Sequence, residues 1–316
     1  LARAAGVRIG YAEVPATVRA WVEAVLGSAV VATAEQSGGM SPGCATRLVT
    51  AAGTTAFVKA AGASLSDGTP ALFRREVEVL TSLRALPPVP YRPALLDAYD
   101  DGDWVALLLD DVDGRPPDLA DPGGADALAV RDLVERQARE LTPSPMGGQG
   151  VRSLRSLPAM AEIWRGRWAE LAGAPDGILP PWTAGRIRDL YRRVATVPGR
   201  LTTETLCHWD VREDNLLIRH DGSAVIVDWG MACAGPSWGD AFMLALTWVH
   251  TPAFDALTAE LPVGGDGDLV TDLLLAFAGS QAWRGAQPAP PGLPTFAGYC
   301  RAEAARAFAG LFRRLN

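Results

Sequence analysis

Three oxygen-bearing side chains, Asp210, Asn215 and Asp228, are spaced so that one hairpin would gather them at a single edge. They belong to His208-Trp209-Asp210-Val211-Arg212-Glu213-Asp214-Asn215, followed by Leu216–Arg219, a His220-Asp221-Gly222 turn, and Ser223–Asp228. A ladder centred on Asp221 pairs 219 with 223, 217 with 225, and therefore 215 with 227. Asn215 then stands beside Asp228, with Asp210 one short loop away. Such a partly open oxygen cluster suits Mg²⁺, which takes carboxylate, carbonyl and phosphate oxygens and keeps some of its waters. Phosphoryl transfer requires that arrangement: charge on the moving group is neutralised while a carboxylate orients the attacking hydroxyl. Asp210 would accept the hydroxyl proton, and Asn215 and Asp228 would hold the metal. Asp and Asn also favour turns for local hydrogen-bonding reasons. That preference alone rarely yields H-x-D-x-x-x-x-N with a further Asp thirteen residues on, across a hairpin.

Composition narrows the class. The 316 residues are 48% hydrophobic and 21% charged, the balance of a folded globular protein with room for two lobes. A net charge of −7 argues against a nucleic-acid partner. The absence of a long uncharged apolar run argues against a membrane span. Leu1 to Gly10 lack the layout of a signal peptide, and Cys44, Cys207, Cys233 and Cys300 show no metal-ligand spacing. Buried free thiols in a reducing cytoplasm are expected. Lys59 is the only lysine in an arginine-rich chain, and Asn215 is the only asparagine besides the terminal Asn316. A lysine that survives such a bias marks a site needing a compact point charge rather than a planar fork.

The elements around the motif divide the chain. A helix is expected from Pro15 to about Leu26, with Trp21, Val22, Val25 and Leu26 on one face. Strands follow at 29–36, 44–51 and 54–60; the Gly-rich segment 37–43 joins the first two. A helix over 69–85 and strands near 93–99 and 104–109 complete a five-stranded antiparallel sheet with one main helix. Asp110 to Gly114 breaks the pattern and places a lobe boundary there. The first lobe spans 1–110 and the second 111–316. Beyond the boundary the chain reads as mainly helical, over 124–141, 158–172, 183–197, 237–250, 267–284 and 296–314. The 215–228 hairpin interrupts these helices, and 287–294 is a Pro-rich connector. The fold class is α+β.

The segment 208–228 resembles the catalytic loop and metal-binding Asp of the aminoglycoside phosphotransferase family, relatives of protein kinases with the same bilobal fold. The first lobe agrees with it. Gly39-Met40-Ser41-Pro42 resembles the nucleotide-binding loop of aminoglycoside 3′-phosphotransferases, which places Met40 and Ser41 over the β-phosphate. Lys59, in Ala56-Phe57-Val58-Lys59, falls where the family keeps its α/β-phosphate lysine. Glu76 matches the helix Glu that pairs with it; Glu78 is the rival and points to another face of the helix. Leu107 to Gly114 resembles the strand-to-hinge segment whose backbone holds the adenine, at Asp110 and Val112. The resemblance covers about residues 29 to 240. It implies an ATP- or GTP-dependent, Mg²⁺-dependent transfer of the γ-phosphate to a hydroxyl.

The departures concern the acceptor. Trp209 stands where the family usually has a small residue, and Arg212 replaces the usual His or Lys. A guanidinium there still stabilises charge on the transferring group. His208 and Asp240 are assigned to bracing the loop. The short interval from Asp228 to the next helix leaves no platform for a peptide, so a protein substrate is not expected and the acceptor is a small molecule. Trp209 and Trp283 are candidates for an acceptor platform. Asp266, Asp268 and Asp272 are either contacts for ammonium groups or a solvated helix start. The acceptor reading stays open between an aminoglycoside or other antibiotic and a metabolic or biosynthetic alcohol such as choline, homoserine or a sugar. A nucleotide-binding pseudokinase is the third reading, and the intact Lys59, Asp210, Asn215 and Asp228 weigh against it.

Overall fold

The computed structural model describes residues 5–36, 38–146, 154–173, 177–264 and 267–316. Ser37 and Asp266 lie outside these described residues. The chain opens with helix α1 (Ala16–Leu26) and strands β1 (Val30–Glu35), β2 (Cys44–Thr50) and β3 (Thr55–Gly62). Helix α2 (Thr69–Leu83) and strands β4 (Leu95–Asp100) and β5 (Trp104–Leu109) follow. The sheet runs β1-β2-β3-β5-β4, with every neighbouring pair antiparallel.

Period-two alternation divides the sheet between two cores. Val58 and Ala60 of β3 and Ala106 and Leu108 of β5 pack with Val18 and Val22 of α1. Leu107 and Leu109 face the other way and join Phe73, Val79 and Leu80 of α2. Burying each large side chain contributes about 1.5–3 kcal/mol, so both faces fix the register. Within α1, Trp21, Val22 and Leu26 of the expected face pack on this core, Val18 joins them, and Val25 is exposed. Lys59 leaves β3 on the α2 side, among the apolar side chains of the second core. That placement demands a buried counter-charge.

The remainder is helical: α3 (Ala125–Glu140), α4 (Leu157–Ala172), α5 (Ile187–Thr196), α6 (Gly239–Ala245), α7 (Pro252–Ala259), α8 (Gly267–Ala286) and α9 (Phe296–Leu315). Short strands β6 (Arg155–Ser156), β7 (Thr205–Cys207) and β10 (Cys233–Gly235) form a small sheet, and β8 (Leu216–Ile218) pairs with β9 (Ala224–Ile226). The α+β architecture is as expected, with three local differences. The 183–197 helix begins only at Ile187, because Gly185 adopts φ 76° and breaks the turn. The 237–250 helix tightens into a 3₁₀ turn over Leu246–Trp248. Helix α7, opened by Pro252 at its first turn, had not been expected at all. All four cysteines are free and buried. Among the described residues no helix is long and apolar enough to cross a membrane.

Candidate active site

The hairpin forms in the register the sequence dictates. Leu216 pairs with Ile226, Leu217 with Val225 and Ile218 with Ala224. The ladder extends to Arg219–Ser223 at the turn, and Val227 N–H donates to Asn215 O at 2.9 Å at the open end. Asn215 is buried there. Its Nδ2 donates to the carbonyl oxygen of Asp210 at 2.9 Å and to Asp210 Oδ2 at 2.8 Å. With the amide hydrogens committed to Asp210, Asn215 Oδ1 remains as the free acceptor of that side chain.

The loop that presents Asp210 is held from below by Asp240. One carboxylate oxygen accepts His208 N–H at 2.8 Å and Gln137 Nε2 at 2.9 Å; the other accepts Trp209 N–H at 2.8 Å. Those bonds fix Trp209 at φ 59°, a left-handed conformation costing a bulky residue about 1–3 kcal/mol. Asp228, at φ 68°, is the other non-glycine residue in that region among the described residues. His208 is fully buried. Its Nδ1 faces Asp210 N–H at 3.3 Å and its Nε2 faces Val227 O at 3.0 Å. These partners require a neutral ring with the hydrogen on Nε2, and burial holds its pKa below the ordinary imidazole value. His208 therefore braces the loop, as assigned.

Lys59 links the sheet to this cluster. Its Nζ lies 2.5 Å from Glu76 Oε2 and 2.8 Å from Asp228 Oδ1. Glu76 Oε1 accepts the N–H of Trp229 at 3.2 Å, so one carboxylate joins the lysine to the segment after Asp228. Glu76, not Glu78, is the partner. Burial favours the neutral amine of Lys59, but Asp228 and Glu76 outweigh it and keep the ammonium charged. Burial likewise opposes ionisation of Asp228, and Lys59 overcomes it, so this carboxyl sits below its usual range. Asp210 behaves differently. Burial dominates over the attraction of Arg212, and its pKa is raised.

Arg212 lies against Asp210, with Nε 2.9 Å from Oδ1. Its two terminal nitrogens donate to Tyr299 Oη and Asp214 Oδ2, each at 3.1 Å. Tyr299, on α9, escaped the sequence reading because it is far along the chain in a helix of ordinary periodicity. Burial pushes its phenol up to about 12.

Arg8 was also missed. It lies beneath the Gly-rich segment and donates to the carbonyls of Ser41, at 2.7 Å, and Gly38. Backbone bonds hold it there: Gly43 N–H to Val7 O at 3.0 Å and Val7 N–H to Gly292 O at 2.9 Å. Gly43, at φ 128°, admits no side chain, since a Cβ would come 2.4 Å from Ala60 O. An arginine in a short N-terminal segment carries no sequence signal of this role.

Met40, Ser41, Asp210, Arg212 and Asp228 line one cavity of about 660 Å³ that continues between α4, α6, α8 and α9. Lys59, Glu76 and Asn215 stand behind its wall. Asp110 and Val112 do not reach it; they border a separate recess of about 340 Å³ beside Pro90 and Arg219. Trp209 lines the main cavity, stacked between Trp164 and Phe242 with centroids 6.4 and 6.3 Å away. Trp283 is not among its lining residues: its indole N–H is bound to Glu170 at 2.6 Å. Asp268 and Asp272 also stay out of the lining. Asp272 is buried between Arg193 and Arg200, at 2.5 and 2.6 Å.

Comparison with known proteins places this geometry. The chain superposes on the choline kinase LicA of Streptococcus pneumoniae with a TM-score of 0.58 at 15% identity, covering 94% of this chain and 98% of that one. A thermostable mutant of aminoglycoside phosphotransferase APH(4)-Ia, in a ternary complex with ADP and hygromycin B, gives 0.59 at 13% identity, covering 93% and 99%. The macrolide 2′-phosphotransferase MphH of Brachybacterium faecium gives 0.55 at 16%, covering 93% and 97%. At these identities the likeness is one of fold. No curated protein sequence matches the chain. Residues 45–262 match the family described as phosphotransferase enzyme family, a stretch that holds Lys59, Glu76, Asp210, Asn215 and Asp228. The chain belongs to that family and is a small-molecule kinase acting on an alcohol group.

Proposed function

We propose that the protein transfers the γ-phosphate of ATP to a hydroxyl of a small molecule, with Asp210 as the carboxylate that orients the hydroxyl and accepts its proton. The observation that carries this reading is the pairing of Asn215 with Asp210 beside Asp228. One amide fixes the base, and the backbone of the same residue pairs with Val227, the residue before Asp228. Asn215 Oδ1 and the exposed part of Asp228 fit Mg²⁺, a hard cation that needs few protein oxygens when phosphate supplies others. When bound, the metal would neutralise charge on the nucleotide phosphates. Lys59 neutralises Asp228 in the free protein and is poised to turn toward a phosphate.

Residues 1–110 and 111–316 are read as the two lobes, with Met40 and Ser41 over the phosphates. Phe57 shares the face of Lys59 on β3, two residues away, and pairs with Leu109. An adenine beneath Phe57 would therefore reach the backbone at Asp110 and Val112. Arg212 holds the Asp210 carboxylate in place and supplies positive charge at the point of transfer.

Two acceptor classes follow from the relatives, which include hygromycin B and choline enzymes. One is an aminoglycoside or other antibiotic; the other is a metabolic or biosynthetic alcohol. The test is Mg²⁺-dependent ADP release by wild type and Asp210→Ala across aminoglycosides, macrolides, choline, homoserine and sugars. Acceptor-stimulated release by wild type alone supports the assignment. Equal release by both proteins would refute it.

A further inference from the structure

The wall of the cavity away from Asp210 carries arginines without a carboxylate partner. Arg167 of α4 and Arg284 of α8 both line it. Arg167 donates to Ser280 Oγ at 2.6 Å and lies over the Trp283 ring at 4.9 Å. Arg284 lies over the Phe296 ring at 5.1 Å. All of these partners are neutral, and among the described residues neither arginine forms an ion pair with a carboxylate. Burial and the repulsion of Arg284 lower the pKa of Arg167 to about 10. Arg167 is half-buried and Arg284 exposed, and Glu170, one turn along α4, attracts Arg167 without forming an ion pair with it.

None of the described acids that line the cavity forms an ion pair with either arginine. Asp210, Glu213, Asp214 and Asp228 belong to the transfer end, and Asp67 stands on the opposite rim, between β3 and α2. Glu303 is on the acceptor wall but is bound by Arg306 at 2.8 Å. The chain does not lack carboxylates, since its net charge is −7. Elsewhere it pairs arginines readily: Arg193 and Arg200 share Asp272, and Arg313 and Arg314 share Asp255. The two arginines facing the cavity are not paired in this way. Between that pair and Asp210 the lining is apolar and aromatic, with Trp164, Trp209, Phe277 and Met243.

A polycation would meet uncompensated positive charge here, whereas an anion would receive charge-assisted hydrogen bonds from two forks that match carboxylate or phosphate geometry. We propose that the acceptor is an anionic alcohol: a carboxylate or phosphate group bound by Arg167 and Arg284, an apolar or aromatic body against Trp164 and Phe277, and a hydroxyl directed to Asp210. This rests on the reading of the cavity as the acceptor site of phosphoryl transfer. No covalent step beyond that transfer is involved.

Calorimetric titration tests it directly. The probes are 6-hydroxy-2-naphthoate, 2-naphthyl phosphate, the methyl ester of the first, and kanamycin, titrated into wild type and Arg167→Gln/Arg284→Gln. At least one anion is expected to bind wild type about tenfold or more tightly than the ester, the scale of one charge-assisted hydrogen bond. Whichever anion wins names carboxylate or phosphate, and the advantage should vanish in the double variant. Tighter binding of kanamycin, equal binding of acid and ester (including none of either), or an anion affinity untouched by the double variant overturns the proposal. ADP with Mg²⁺ is titrated into both proteins as the check on folding. Failure of wild type to bind ADP would instead overturn the phosphotransfer reading and leave the anion comparison to stand on its own result.

Discussion

Asn215 donates both to the backbone and to the side chain of Asp210, at 2.9 and 2.8 Å, so one amide sets the position and the direction of the carboxylate. A base held this way has its rotamer fixed before any substrate arrives. Asp210→Asn keeps the shape and removes the proposed proton acceptor. The expected result is a fall in kcat of about 10²–10⁴ with little change in ADP affinity, read by steady-state ADP release and calorimetry. Asn215→Ala should show a different signature, losing kcat together with its Mg²⁺ dependence, because it frees Asp210 and deletes an oxygen proposed to hold the metal.

With Asp210 as the proposed base, the acid limb of the pH–rate profile should report it. Its pKa is raised by burial and pulled back by Arg212. Activity needs the ionised form, so kcat/KM should fall as pH drops through this elevated value. Arg212→Gln removes the opposing attraction, raises the pKa further and should move the limb to higher pH. A limb that stays in place or moves down would dissociate Arg212 from Asp210.

Lys59 has room for an ammonium between Glu76 and Asp228 and none for a longer fork, with contacts of 2.5 and 2.8 Å in a buried site. Lys59→Arg is therefore expected to raise KM for ATP and to cut kcat by about 10² or more, comparable to losing an electrostatic contact in a dry site. Retained activity would place the lysine outside the phosphate contacts.

Asp240 accepts from three buried donors, the N–H groups of His208 and Trp209 and the Gln137 amide. Asp240→Ala leaves all three without a partner and releases the strained Trp209 backbone. An unsatisfied buried donor costs about 1–3 kcal/mol, and relief of the buried carboxylate offsets part of the sum, so a net loss of about 3 kcal/mol is expected in urea unfolding. Asp240→Asn keeps one acceptor oxygen and should lose less.

Arg8 cradles the Gly-rich segment through the carbonyls of Ser41 and Gly38. Arg8→Ala frees the loop that carries Met40 and Ser41. KM for ATP is expected to rise about three- to tenfold, the value of one or two modest hydrogen bonds, with kcat nearly preserved. Equal loss in both parameters would assign Arg8 to the reaction itself.

The site was legible in the sequence where local geometry determines it. The turn at Asp221 fixes the hairpin register, which brings Asn215 beside the residue before Asp228, and the isolation of Lys59 in an arginine-rich chain singled out the lysine that pairs with Glu76 and Asp228. The five-strand sheet was legible for the same reason, since alternation over six to eight residues is a strong signal. Contacts made by packing were not. Tyr299 meets Arg212 only because α9 returns across the cavity, and Arg8 meets Ser41 only because the N-terminal segment lies along the loop. The acidic residues near 268–272 resembled contacts for a cationic acceptor, yet Asp272 is spent on Arg193 and Arg200. Strands β6, β7 and β10, of two or three residues each, are too short to show a period.

The bonds of Val7 to Gly43 on one side and Gly292 on the other have a kinetic meaning. One residue joins the Gly-rich segment to the connector between α8 and α9, two helices that line the cavity. A nucleotide that lifts the loop must pull on that connector, and an acceptor that settles α8 and α9 must steady the loop. The two substrates thus share a mechanical restraint, so each should lower the dissociation constant of the other by the same factor, as thermodynamic reciprocity demands.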